Sequence, residues 1–143
     1  MIRQVFVDSN VIISSLLSDK GAAFLLLHSQ PSLTRFFITQ YSIDELEIVV
    51  QRLEISNKNL TQLVDTRLET VHIPTSQERI QKTYERYVID TGDAHIVGGA
   101  AETKCRFLLT YNVKHFRTEK IKEKFNILIM TPAMFLQYIR SLQ

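Results

Sequence analysis

At 143 residues, with 45% hydrophobic and 22% charged side chains, the chain has the length of one ordinary domain with its own core, spanning 1–143, and not the composition of a disordered tail or a fibre. Cys105 is the single cysteine, so no intrachain disulfide is available and a reducing, cytoplasmic setting is expected. The opening MIRQVFVDSN carries a charge and an aspartate where a signal peptide needs a long apolar run, so export is not expected; no stretch reaches the roughly 20 apolar residues of a membrane span, and a net charge of +2 permits a polyanionic partner without requiring one.

Residues 2–7 are branched and mostly apolar, and Asp8 follows at once, which predicts a buried strand ending in an acid. Ser9 or Asn10 then caps a helix to Leu17; after Gly21 a second helical piece covers residues 22–28, and Pro31 closes it. Phe36, Phe37 and Ile38 centre a second strand. Over residues 42–53 the positions Ile43, Leu46, Val49, Val50 and Leu53 recur at three- and four-residue spacing, the stripe of an amphipathic helix. Residues 57–68 repeat the pattern, predicting two antiparallel helices joined near Ser56. A minor strand at 71–73 and a helix after Ser76 come next. Asp93 then enters the first turn of a helix whose Ala94, Ile96, Val97, Ala100 and Ala101 face inward, and whose Gly98 and Gly99 permit a close neighbour at a cost of about 1 kcal/mol each in helix propensity. RFLLT, residues 106–110, is a third core strand; 114–125 is irregular or a short helix; 127–130 is a fourth strand; Pro132 opens a terminal helix. Strands alternating with helices predict an α/β fold, a three-layer α/β/α sandwich around a mainly parallel sheet.

In such a sheet the loops after the strands gather at one edge, where ligands bind. Asp8 and Asn112 both follow strands and belong to that edge, while spacing alone leaves Asp93 free to lie at either. Glu45 lies in the first turns of the helix after FFIT, beside Asp44 and Glu47, and propensity does not choose among the three. Asp8, Glu45 and Asp93 brought together would repel one another and raise their pKa values unless a hard cation, Mg²⁺ or Mn²⁺, neutralised them. Such an ion activates water for attack on a phosphodiester. The plainer alternative makes each acid a helix cap or a solvated side chain.

The order DSN, DEL, DxxD and TxNxxxF resembles the PIN domains, and within them the bacterial and archaeal group related to VapC toxins, over essentially the whole chain. VFVDSNVIISSLL is similar to the family's opening strand, acid and helix, YSIDELEIVVQRL to its second motif, and DTGDAHIVGGAAETKCRFLLTYNVKHF to its third and fourth. The resemblance implies Asp8, Glu45 and Asp93 as Mg²⁺ or Mn²⁺ ligands, Asn112 as a catalytic outer-sphere residue and Asp90 as a supporting acid. It also implies a metal-dependent ribonuclease that leaves 5′-phosphate and 3′-hydroxyl ends, a protein antitoxin as partner and a homodimer. Many members carry aspartate where this chain has Asn112, and some relatives with asparagine there place an acid at the position of His115. The alternative is therefore a PIN-fold module that binds RNA or protein with little or no catalysis. A phosphatase or nucleotide-binding domain is disfavoured, because neither G-x-x-x-x-G-K-[ST] nor G-x-G-x-x-G occurs.

Several neighbours carry both a functional and a plain reading. Ser9 and Asn10 orient Asp8 or simply cap a helix; Thr110 positions Asp8 or ends a strand; His115 contacts phosphate or bonds within its loop. Arg35, Lys114 and Arg117 are candidates for the RNA backbone and Tyr111 for stacking on a base. The wider run through Lys120, Lys122 and Lys124 also reads as a solvated helix face. His95 is expected at the surface or in a local hydrogen bond, and four scattered histidines do not suggest zinc.

Overall fold

The computed structural model describes residues 1–29 and 31–142. Strand β1 (Arg3–Val7) ends in Val5, Phe6 and Val7, each fully buried, as befits a strand covered on both faces. It passes into helix α1 (Ser9–Leu17), whose cap is Asp8 itself, and α2 (Ala22–Ser29) turns 95° from α1. Among the described residues no single helix is long and apolar enough to cross a membrane. Strand β2 (Thr34–Thr39) leads into α3 (Gln40–Arg52), which begins two residues before the predicted Ser42 because the Thr39 hydroxyl accepts the Ser42 N–H at 3.2 Å and caps the extra turn. Helix α4 (Asn57–Arg67) starts at a Ser56 cap.

Strand β3 is Glu69–Val71, displaced from the expected 71–73. Its register against β2 pairs Phe37 with Glu69 and Thr39 with Val71, so β2 has ended before Ile73 finds a partner. Then follow α5 (Gln77–Tyr84), a 3₁₀ turn at Thr91–Asp93, α6 (Ala94–Glu102), β4 (Phe107–Leu109), a 3₁₀ turn at Val113–His115, α7 (Thr118–Phe125), β5 (Leu128–Met130) and α8 (Pro132–Ser141).

The sheet runs β3-β2-β1-β4-β5 with every pairing parallel. Alternation along the strands sends Val5, Val7, Phe36, Ile38, Phe107 and Leu109 to one face, where α1, α2, α3, α4 and α8 cover them. Phe6, Phe37 and Leu108 face the other way, under α5, α6 and α7. The chain leaves β1 towards β2 and β3 and returns on its far side as β4 and β5. The connections out of β1 and β4 therefore diverge, leaving a crevice at their carboxyl ends.

Helix α6 lies unusually close to β1. A Cβ on Gly99 would fall 2.5 Å from Phe6 Cζ, and one on Gly98 2.7 Å from Ile80 Cγ2. The two glycines thus set the depth at which α6 seats, and with it the height of Asp93 above the sheet edge. Ala101, expected to face inward with its neighbours, is only partly buried.

Candidate active site

Asp8 leaves β1 into the crevice, where its own fold holds it. Its Oδ1 accepts the Ser9 N–H at 2.7 Å and its Oδ2 accepts the Thr110 hydroxyl at 2.8 Å. Thr110, fully buried at the end of β4, in turn accepts the Asn112 backbone N–H at 3.0 Å and the Asn10 side-chain amide at 3.3 Å. Asn10 Oδ1 takes the Tyr111 N–H at 3.2 Å. One buried hydroxyl and one amide thus tie the loop after β4 to the carboxylate after β1, the two connections that part at the crevice.

Asp8, Glu45 and Asp93 come from β1, α3 and the 3₁₀ turn before α6, and they feel one another. Burial pushes the Asp8 carboxyl up, Asp93 adds to this, and the bonds from Thr110 and Ser9 pull the other way. Burial raises Glu45 as well, followed by the charges of Asp8 and Asp93. Asp93 is raised by burial and by Asp90, against the opposing pull of His115. Of the three acids near the start of α3, Glu45 is the one turned to this cluster, while Asp44 accepts from the Gln40 side chain at 2.9 Å.

Asp90 acts locally, its carboxylate accepting the Gly92 N–H at 2.9 Å and capping the turn that delivers Asp93. His115 Nδ1 stands 3.6 Å from Asp93 Oδ2. Asn112 and Lys114 are exposed in the same loop, Arg117 is exposed just before α7, and Tyr111 is exposed with its hydroxyl 3.4 Å from Ser14 Oγ. Arg35 is elsewhere. It lies at the amino end of β2, the opposite edge of the sheet, in a bidentate ion pair with Glu69 and 5.2 Å from the Phe37 ring centroid. As the second residue of its strand it was bound to lie there, which removes it from the neighbourhood expected for it.

His95 also departs from expectation. Its side chain is only 14% exposed, its Nε2 is 3.2 Å from Glu45 Oε1, and Tyr41 packs edge-on against the ring with centroids 4.7 Å apart. Burial lowers its pKa to about 4, so the ring is neutral at physiological pH. Only the four-residue spacing of Tyr41 and Glu45, which places both on one face of α3, hints at this group in the sequence.

Among the described residues no lysine or arginine nitrogen lies within 4.0 Å of Asp8, Glu45 or Asp93, so their repulsion is offset only in part, by the His115 ring beside Asp93. No group of three or more His, Cys, Asp or Glu side chains among the described residues is drawn close enough in this structure to hold a metal ion unaided. An all-oxygen donor set that is partly desolvated and short of positive charge suits Mg²⁺ or Mn²⁺, and Mg²⁺ retains several waters between itself and such ligands.

A family model described as the PIN domain matches residues 4–114, a span that includes Asp8, Glu45, Asp93 and Asn112. No curated protein matches the sequence. Among solved structures, a chain of VapBC2 from Rickettsia felis, bound to a DNA fragment from its promoter, is similar with a TM-score of 0.60 over 90% of this chain and 98% of that one. The two share 15% identity, so the likeness is one of fold.

Proposed function

The chain belongs to the PIN domain family, and from that membership we propose that it is a divalent-metal-dependent endoribonuclease, the toxin of a toxin–antitoxin pair. The observation behind this reading is that three carboxylates facing one crevice from three separate segments are each raised by burial and by a neighbouring acid, with no lysine or arginine among the described residues within 4.0 Å of them. Asp8, Glu45 and Asp93 are the residues that hold the ion, directly or through water. Bound Mg²⁺ or Mn²⁺ supplies an activated water and offsets charge on the phosphoryl oxygens.

The remaining work belongs to the chain. Ser9 N–H and the Thr110 hydroxyl each occupy one Asp8 oxygen, fixing the carboxylate plane while leaving lone pairs for a ligand. Asn112, tethered through its backbone N–H to Thr110, orients water or a phosphate oxygen by hydrogen bonding without adding charge. His115 offers a hydrogen-bonding ring beside Asp93. Lys114 and Arg117 draw in the RNA backbone, and the exposed Tyr111 ring offers a face to an unstacked base. Ser9 and Asn10 serve as supports to Asp8. The likeness to VapBC2 supports a cognate antitoxin as protein partner, and a homodimer in the cytoplasm belongs to the same reading.

The test is incubation of single-stranded and hairpin RNAs with the purified protein and Mg²⁺ or Mn²⁺, followed by analysis of the new ends. The expected products carry a 5′-phosphate and a 3′-hydroxyl and vanish with a chelator. A second reading, an RNA- or protein-binding module without catalysis, draws on the neutral Asn112 and on His115 in the loop after β4. RNA retained but uncut by folded, metal-saturated protein would favour it.

A further inference from the structure

We propose that His95 is a positioning residue, whose Nε2–H clamps one oxygen of Glu45 across the gap between the two helical layers and leaves the other oxygen to the ligand set. Glu45 belongs to α3, which packs on one face of the sheet, and His95 to α6, which packs on the other. Their 3.2 Å nitrogen–oxygen approach therefore bridges the layers at the edge where the sheet ends; the ring N–H is not aligned with the oxygen in this structure, and a small turn of the exposed Glu45 carboxylate closes the bond.

The two partners are unequal in a telling way. The Glu45 side chain is 47% exposed and has rotamer freedom to lose, whereas His95 is 14% exposed and its ring is already fixed. Tyr41, one turn before Glu45 on α3, meets that ring at 69°. Tyr41 and Glu45 thus approach His95 from the same helix, one at the ring and the other at Nε2. The opposite nitrogen, Nδ1, is buried with no hydrogen-bond partner among the described residues. An ionised carboxylate only accepts, so the ring proton belongs on Nε2, and the surroundings select that tautomer. If the position served packing alone, an apolar ring would fill it without burying an unpaired nitrogen.

The seating of α6 is part of the same device. Gly99 brings the helix within reach of Phe6 and of Thr39, the residue that caps α3, so the close approach that delivers Asp93 also delivers His95 to Glu45. Partners of this kind typically change metal affinity by about 10–100-fold when removed. This consequence for metal rests on the nuclease reading; the clamp itself does not.

The experiment compares the full chain with His95→Phe and His95→Gln. Phenylalanine keeps an aromatic ring against Tyr41 but offers no donor, and glutamine places an amide N–H near the position of Nε2. Mn²⁺ affinity by titration calorimetry should fall about 10–100-fold in His95→Phe and stay within a few-fold in His95→Gln. In the metal-free native protein, ¹⁵N-edited spectra of the imidazole should show the Nε2–H tautomer, with the Nε2–H resonance shifting on Glu45→Ala. A His95→Phe protein that binds Mn²⁺ as tightly as the native one, or an Nδ1–H tautomer in the native protein, overturns the proposal. The expected tautomer and shift in a protein that binds no Mn²⁺ would leave the clamp standing and overturn the nuclease reading.

Discussion

Asp8 answers to two opposed demands: as a cap and hydrogen-bond acceptor it organises the crevice, and as a desolvated acid near Asp93 it destabilises the fold that holds it. Its folded-state pKa is raised above the ordinary 3.8, so between those two values the native state binds more protons than the unfolded one. Stability on this account is fullest below about 3.8, falls as pH rises through that window, and bears the whole cost at neutral pH. Asp8→Asn should therefore raise the melting temperature of the metal-free protein by a few degrees while abolishing the rise that Mn²⁺ gives the native protein, as differential scanning fluorimetry will show. A metal-free Asp8→Asn protein that melts below the native one would mean that the Ser9 and Thr110 bonds outweigh the burial. Thr110→Val removes the hydroxyl that serves Asp8, Asn10 and Asn112 from a fully buried position, and should cost about 1–3 kcal/mol in denaturant unfolding together with a loss of Mn²⁺ affinity. Asp8 was legible because a buried strand that stops at an acid marks its own carboxyl edge. Choosing Glu45 over Asp44 and Glu47 was not possible from propensity, since it depends on where the far side of α3 meets α6, elements well separated along the chain.

At the scale of elements, α6 is the piece whose placement the site depends on most. Two adjacent glycines look like a weakness in a helix, yet they let the axis come down onto Phe6 and α5. Gly99→Ala sets two effects against each other. Alanine gains about 1 kcal/mol in helix propensity, while its methyl lands 2.5 Å from the ring of Phe6, which is fully buried and has nowhere to move. Overpacking of this kind costs about 1–3 kcal/mol. The clash should win, with a lower denaturation midpoint and weaker Mn²⁺ binding as Asp93 and His95 lift away from Asp8 and Glu45. The small residues in AHIVGGAAE announce a close approach, and the sequence alone shows this much; it does not show which neighbour is approached. The slip at β3 has a similar origin. Val71 and Ile73 have the stronger strand preference, but β2 supplies ladder partners only as far as Thr39, and Glu69 gains Arg35 on the neighbouring strand.

Across the whole molecule, direction along the sheet sorts the charges better than distance along the chain does. Lys114 and Arg117 follow β4 and stand near the carboxyl edge, whereas α7 carries Lys122 and Lys124 away from it towards the start of β5. Arg35, at the amino end of β2, belongs to the far edge and is engaged by Glu69. Charge reversal at Lys114 and Arg117 together should weaken binding of single-stranded RNA and lessen the slope of log K against log salt by about 1.4, some 0.7 for each phosphate that the protein ceases to neutralise. The same change at Arg35 should leave the slope unaltered, and filter-binding titrations at several salt concentrations separate the two cases. The alternation of strands with helices made the layered fold legible, because strand and helix periods differ. The pairing of charges across the sheet was not, because it follows from the order β3-β2-β1-β4-β5 and not from neighbours in sequence. The central claim, cleavage of RNA by a metal held at Asp8, Glu45 and Asp93, is tested most directly by the initial rate at which the native and Asp8→Asn proteins cut a labelled RNA pool in Mn²⁺. The account predicts chelator-sensitive cutting by the native protein and a rate at least about 100-fold lower in the variant, in line with loss of transition-state charge stabilisation. Equal cutting by both proteins, or cutting that persists in excess chelator, would contradict it.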